Sequence, residues 1–124
     1  MANGRVLVVD DEANVTAIVE EYFTSLGYEV DVAHDGGAAL VQAAAMRPDV
    51  VLLDVSMPDV SGDEVLDRLH AVDPTLPVVM LTGNSSEELA RSFLRRGALD
   101  YVSKPFHLET LERVVATAVA VGRR

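Results

Sequence analysis

Three stretches of this chain are short and continuously apolar: Val6-Leu7-Val8-Val9, Val50-Val51-Leu52-Leu53 and Val78-Val79-Met80-Leu81. Runs of this length, rich in β-branched and aliphatic side chains, predict strands covered on both faces, the mark of a parallel sheet. Tyr28-Glu29-Val30-Asp31-Val32-Ala33 alternates apolar with acidic, and Leu99-Asp100-Tyr101-Val102 is mixed, so both predict half-exposed edge strands. Between these runs the apolar spacing becomes helical. Val15, Ile18, Val19, Tyr22, Phe23 and Leu26 define one face of a helix that Gly27 ends. Asp35-Gly36-Gly37 turns into an alanine-rich helix through about Met46, which Arg47-Pro48-Asp49 terminates. A helix opening near Ser61, with Ser61 or Asp63 as its cap, carries Val65, Leu66 and Leu69 and stops at Asp73-Pro74-Thr75-Leu76-Pro77. Ser85 and Glu88 have capping-box spacing for a helix through about Arg96, closed by Gly97. Leu108, Leu111, Val115 and Ala118 line the last helix, which runs out near Gly122-Arg123-Arg124.

Strands alternating with helices predict right-handed parallel βαβ units. The fold class is therefore α/β, a five-stranded parallel sheet flanked by five helices and filling one domain over residues 1–124. With the first, third and fourth strands central and the others at the edges, the simplest order is 2-1-3-4-5. The chain then reverses its direction of travel between the first and third strands, and ligands bind such sheets beyond the carboxyl ends of the strands at that switch point. Asp10 and Asp11 follow the first strand and Asp54 ends the third.

Composition narrows the chemistry available at that crevice. With 49% hydrophobic residues the 124-residue chain can bury a real core. Ten basic against twenty acidic residues give a net charge of −10, which repels nucleic acid phosphates, so direct nucleic acid binding by this chain is not expected. The absence of cysteine removes disulfides, thiolate nucleophiles and Cys-ligated zinc, leaving oxygen ligands and hard cations. No apolar run approaches the length of a membrane span or a signal sequence, so a soluble, cytoplasmic protein is expected.

Carboxylates converging on one crevice repel each other; a pair about 4 Å apart costs roughly 4 kcal/mol at an effective dielectric near 20, so a cation should bind. Magnesium fits, because it takes oxygen ligands and commonly one or two carboxylates plus a phosphate oxygen. The fourth strand delivers Thr82 and the fifth Lys104 to the same edge, a hydroxyl and an ammonium suited to an incoming anion. A carboxylate nucleophile, a divalent cation, a fixed ammonium and a hydroxyl together describe phosphoryl transfer to aspartate. Each residue has a plainer role available: Asp11 as a cap of the first helix, Thr82 as a cap of the fourth, Lys104 as a solvated lysine. Asp54 lies too far before its helix to cap it. The joint placement at four strand ends favours the functional reading.

Val9-Asp10-Asp11-Glu12, Leu53-Asp54-Val55-Ser56-Met57-Pro58, Leu81-Thr82-Gly83 and Asp100-Tyr101-Val102-Ser103-Lys104-Pro105-Phe106 resemble, in order and spacing, the receiver domain of bacterial response regulators. The resemblance implies a flavodoxin-like receiver fold in which Asp54 accepts a phosphoryl group from the phosphohistidine of a sensor histidine kinase or phosphotransfer protein. It implies magnesium or manganese held by Asp10, Asp11, Asp54 and the carbonyl of Ser56, with Asp10 acting mainly through a metal-bound water. It implies that Lys104 pairs with the phosphoryl group, that Lys104-Pro105 is cis, and that Thr82 and Tyr101 form a switch altering the surface of the fourth helix, fifth strand and fifth helix. On this reading the chain is not an enzyme acting on a separate substrate, although it catalyses its own phosphorylation and dephosphorylation at Asp54. Ser56 and Asn84 occupy positions that influence dephosphorylation in relatives.

The expected partner downstream is a protein target or an output domain, the chain being a free-standing receiver or the amino-terminal piece of a longer regulator. A phosphorylation-dependent dimer is compatible with this, although Leu99 stands where the transcription-factor branch often has an acidic dimer-contact residue. Three alternatives compete. An aspartate-nucleophile phosphatase would need a second aspartate at Ser56. A flavodoxin-like cofactor domain would need hydroxyls or glycines at Asp10-Asp11. A receiver-like module could signal by contact without phosphorylation. His34, His70 and His107 have no metal-ligand spacing and read as surface or partly packed side chains.

Overall fold

The computed structural model of the chain describes residues 3–83 and 86–122. Its strands are β1 (Arg5–Val9), β2 (Glu29–Ala33), β3 (Val50–Asp54), β4 (Val78–Thr82) and β5 (Asp100–Ser103). They alternate with helices α1 (Ala13–Ser25), α2 (Gly36–Met46), α3 (Gly62–Val72), α4 (Glu87–Arg95) and α5 (Leu108–Gly122). All strand pairs are parallel and the order is β2-β1-β3-β4-β5, as the patterning predicts.

Side chains at successive positions of a strand enter different cores. Val6, Val8, Val50, Leu52, Val79 and Leu81 pack on one face beneath Val19 and Phe23 of α1 and Leu111 and Val115 of α5. Leu7, Val9, Val51, Leu53, Val78 and Met80 pack on the other with Val65 and Leu66 of α3 and Phe93 of α4. Helices on both faces account for the uninterrupted apolar runs, and each fully buried leucine or phenylalanine contributes roughly 1.5–3 kcal/mol. Phe23, wholly buried, also meets the rings of Tyr22 and Tyr28 edge-on at centroid distances of 5.4 Å.

The structure departs from the expected elements in a few places. In α1 the buried residues are Thr16, Val19 and Phe23, while Ile18 is 54% exposed. Successive helical residues are rotated by about 100°, so Ile18 falls outside the stripe centred on Val19 and Phe23 and Thr16 falls inside it. Thr16 is satisfied there by its hydroxyl's bond to the Ala13 carbonyl and its contact with His34 Nε2. Ser61 occupies the N-cap position of α3 without a capping bond; its hydroxyl goes to Asp63. Helix α4 is capped by Ser86, whose Oγ accepts from the Leu89 amide. The expected cap Ser85, the residue Asn84 and the tail residues Arg123 and Arg124 lie outside the described residues. Among the described residues no helix is long and apolar enough to cross a membrane.

Candidate functional site

Among the described residues the buried polar side chains are Asp10, Thr16, Asp54 and Thr82. All but Thr16 stand at the carboxyl ends of the three central strands, the edge where ligands reach an open parallel sheet. Burying such groups is unfavourable unless they are paired, so their clustering needs a local reason.

Lys104 supplies part of it. Its amide donates to the Thr82 carbonyl at 2.7 Å, extending the β4–β5 pairing past the strand end, and the Lys104-Pro105 peptide is cis, as expected. The ammonium crosses the sheet edge to Asp10 Oδ2 at 2.6 Å, Asp54 Oδ1 at 3.4 Å and Glu12 Oε1 at 3.9 Å. Burial alone would lower its pKa. The hydrogen bond and charge of Asp10, then those of Asp54, outweigh that and hold it above the usual lysine range. The group is therefore an ammonium at neutral pH.

Asp54 is 5% exposed. Burial first, and the Asp10 charge second, push its pKa up to about 6; Lys104 and the Ser56 amide, 3.3 Å from Oδ1, offset them in part. Its backbone is wedged by the first residue of α3. A Cβ on Gly62 would come within 2.4 Å of the Asp54 carbonyl oxygen and 2.7 Å of Val55 Cα, while the Gly62 amide donates to the Val55 carbonyl. Farther along the same β3–α3 loop, Asp59 accepts from the amides of Gly36 at 3.0 Å and Gly37 at 3.1 Å, and these amides hold its carboxyl below the usual range. Asp35 accepts from Ala38, so two carboxylates satisfy the first amides of α2 and favour its positive end.

Oxygens of Asp10, Asp11 and Glu12 all lie within 4.8 Å of one another. Asp10 is buried, its Oδ1 taking the Glu12 amide at 2.9 Å, and the other two are exposed. Three hard oxygen donors at this separation suit a divalent cation. Glu12, which the sequence shows as the last residue of the acidic triplet but does not by itself mark as a metal donor, stands at the N-cap position of α1 without a capping bond. Asp11 does not occupy that cap position. Register sets Leu81 opposite Asp54 and Ser103 opposite Thr82, bringing the Thr82 side chain, 2% exposed, to the adjoining strand end. Tyr101 is 37% exposed and lines a surface cavity with Phe106 and His107.

Comparison with known proteins decides the family. The model of the response regulator receiver domain matches residues 6–116. The chain belongs to this family. It is 39% identical over 118 residues to the regulatory protein AtoC of Escherichia coli, covering 95% of this chain and 26% of that protein. It is 42% identical over 120 residues to the transcriptional regulatory protein PrrA of Mycobacterium tuberculosis, covering 97% and 50% respectively. The chain thus spans between a quarter and half of these relatives. The crystal structure of the NtrX receiver domain from Brucella abortus superposes with a TM-score of 0.87 at 35% identity, covering 93% of this chain and 98% of that one. A CheY-like receiver from Methanospirillum hungatei gives a TM-score of 0.90 at 28% identity, with 96% and 95% covered. The receiver domain of a two-component response regulator accounts for the acidic crevice, and neither the phosphatase nor the cofactor-domain alternative is favoured.

Proposed function

We propose that Asp54 is the phosphoacceptor of this receiver and that Asp10, Asp11, Thr82 and Lys104 serve its phosphorylation. The observation that carries the reading is the buried Asp54 carboxylate at a strand end with the Lys104 ammonium 3.4 Å away. In the reaction an Asp54 oxygen attacks phosphorus, the phosphorus–nitrogen bond of a kinase or phosphotransfer-protein phosphohistidine breaks, and the imidazole keeps the electron pair. The attacking group must be ionised, which a pKa near 6 allows at neutral pH. The Lys104 and Ser56 contacts fall on Oδ1, and we assign Oδ2 as the nucleophile. Lys104, anchored by Asp10, is positioned to neutralise a phosphoryl oxygen.

The clustered carboxylates of Asp10, Asp11 and Glu12 fit magnesium or manganese, and we assign Asp54 and the Ser56 carbonyl, which lie outside that cluster, as the further ligands beside Asp10 and Asp11. Such a cation, when bound, supplies charge neutralisation to the transferring phosphoryl group. Thr82 and Tyr101 form the switch: the hydroxyl turns toward the phosphoryl group, and the ring moves into the space released, altering the α4–β5–α5 surface. That surface acts on a downstream protein or output domain, and a net charge of −10 argues against direct contact with nucleic acid.

Incubation with magnesium and acetyl phosphate, followed by intact-mass measurement, tests the assignment. One phosphoryl adduct on the parent and none on Asp54→Ala is expected. No adduct on either protein, including at a rapidly quenched early time, would favour contact signalling without phosphorylation.

A further inference from the structure

The carboxy-terminal halves of α2 and α3 leave a groove of about 640 Å³ between them. Leu40 and Ala43 of α2, Leu69 and Val72 of α3, and Leu76 beyond α3 give it an apolar lining. Val72 is 85% exposed, so an apolar side chain in the last turn of α3 is left to water at the groove edge. Small-molecule sites commonly enclose about 300–1,000 Å³, with a mostly apolar lining and a few polar groups that fix orientation.

Two of the lining residues are arginines, Arg47 and Arg68. Among the other described cations Arg5 is taken up by Glu29 and Asp31, Arg96 by Asp63 and Asp67, and Lys104 by Asp10 and Asp54, while Arg95 and Arg113 on α4 and α5 have no ion pair among the described residues and do not line this groove. The Arg47 guanidinium has no hydrogen bond or ion pair among the described residues. Arg68 has a 3.4 Å contact with Glu64, both side chains being more than half exposed, a pairing that water competes with readily. Arg47 also caps α2 in the left-handed region at φ 48°, a position where glycine or asparagine is usual. Asp73 lines the groove too, and its Oδ1 accepts from the Thr75 amide at 3.0 Å and hydroxyl at 2.6 Å.

We infer that this groove binds a small amphiphilic carboxylate, its aliphatic or aromatic body against the apolar lining and its head group at Arg47 and Arg68. A guanidinium fork matches a carboxylate in geometry as well as charge. The groove lies where β3 and β4 begin, whereas Asp54 and Thr82 end those strands, so the inference stands apart from the phosphoacceptor assignment.

Decanoate, added below its micelle-forming concentration to the full chain and followed by amide correlation spectra, is the probe. Saturable shifts concentrated at Ala43, Arg47, Leu69 and Val72 are expected. Decanol, which keeps the body and lacks the charge, should bind about tenfold more weakly or worse. Arg47→Gln with Arg68→Gln should weaken decanoate by a similar factor while leaving decanol binding and the urea midpoint unchanged. If that pair fails to fold, Val72→Asp, at a site already in water, should reduce binding of both probes. Scattered or non-saturating shifts, equal binding of decanol, or insensitivity to these substitutions would overturn the inference. So would a concentration-dependent dimer mapping to the same amides, which would make a second copy the occupant.

Discussion

The Lys104 ammonium sits 2.6 Å from Asp10 Oδ2, closer than its 3.4 Å approach to Asp54 Oδ1. Asp10 therefore anchors the lysine, and Asp54 shares it. Lys104→Gln should leave the Asp10 carboxylate, wholly buried, without its cation. Breaking a buried pair costs about 3–5 kcal/mol, and since Lys104 is partly open to water a loss on the order of 2–3 kcal/mol is expected in urea unfolding. Phosphorylation by acetyl phosphate should slow about 100-fold, as when one charge-stabilising donor is removed from an active site. Unchanged stability would mean that water, not Lys104, satisfies Asp10.

Asp54→Asn should make the metal-free protein more stable at neutral pH. Its carboxyl has a pKa near 6 when folded against 3.8 as the ordinary value, so between those values the folded state binds more protons than the unfolded chain. Parent stability then falls as pH rises from about 4 to about 6, and the asparagine variant escapes that fall. Its advantage should grow across this window and level off above it, at on the order of 1–3 kcal/mol. Urea midpoints measured from pH 4 to pH 8 with a chelator present check this; a constant difference would remove Asp54 as the cause.

Gly62→Ala tests the wedge between α3 and the end of β3. The added methyl meets backbone at 2.4 Å and 2.7 Å, which no rotamer change relieves, and overpacking of this kind costs about 1–3 kcal/mol. Because the displaced atoms belong to Asp54 and Val55, acetyl phosphate labelling should slow as well. Gly83→Ala is the control, since nothing lies within 4 Å of its Cβ position. A Gly62 variant as stable as the Gly83 one would show that α3 can shift freely.

Tyr22 donates its hydroxyl to Glu112 at 2.6 Å, joining α1 to α5, and that bond, with burial and the nearby acidic charge, pushes its pKa up to about 12. Because the raised value favours the neutral phenol, the bond's contribution is intact below pH 10 and is lost as pH climbs toward 12. A late component in the alkaline titration of phenolate absorbance should therefore vanish in Tyr22→Phe and move to lower pH in Glu112→Gln. Persistence of that component in the phenylalanine variant would assign it to another tyrosine.

Strand identity, sheet order and the residues at the strand ends are legible because each strand's burial is written into consecutive side chains. The helix phase is less so: Ile18 and Thr16 exchange expected places because Thr16 can satisfy its hydroxyl locally and His34 comes to meet it from another element. Glu12 is legible as the third residue of an acidic triplet, but only the fold shows that its carboxylate reaches within 4.8 Å of both Asp10 and Asp11. Arg96 bridging Asp63 and Asp67, and Asp59 capping α2, join residues far apart in the chain, where local periodicity carries no signal.

Asp59 belongs to the loop that follows Asp54, yet the amides it satisfies open a different helix. Withdrawing that loop would strand two donors at the start of α2, so loop and first helical turn open together as one cooperative unit. Solvent exchange at the Gly36 and Gly37 amides then reports the state of the loop more than the intrinsic stability of the helix, and a spectator element becomes a gauge of movement around Asp54.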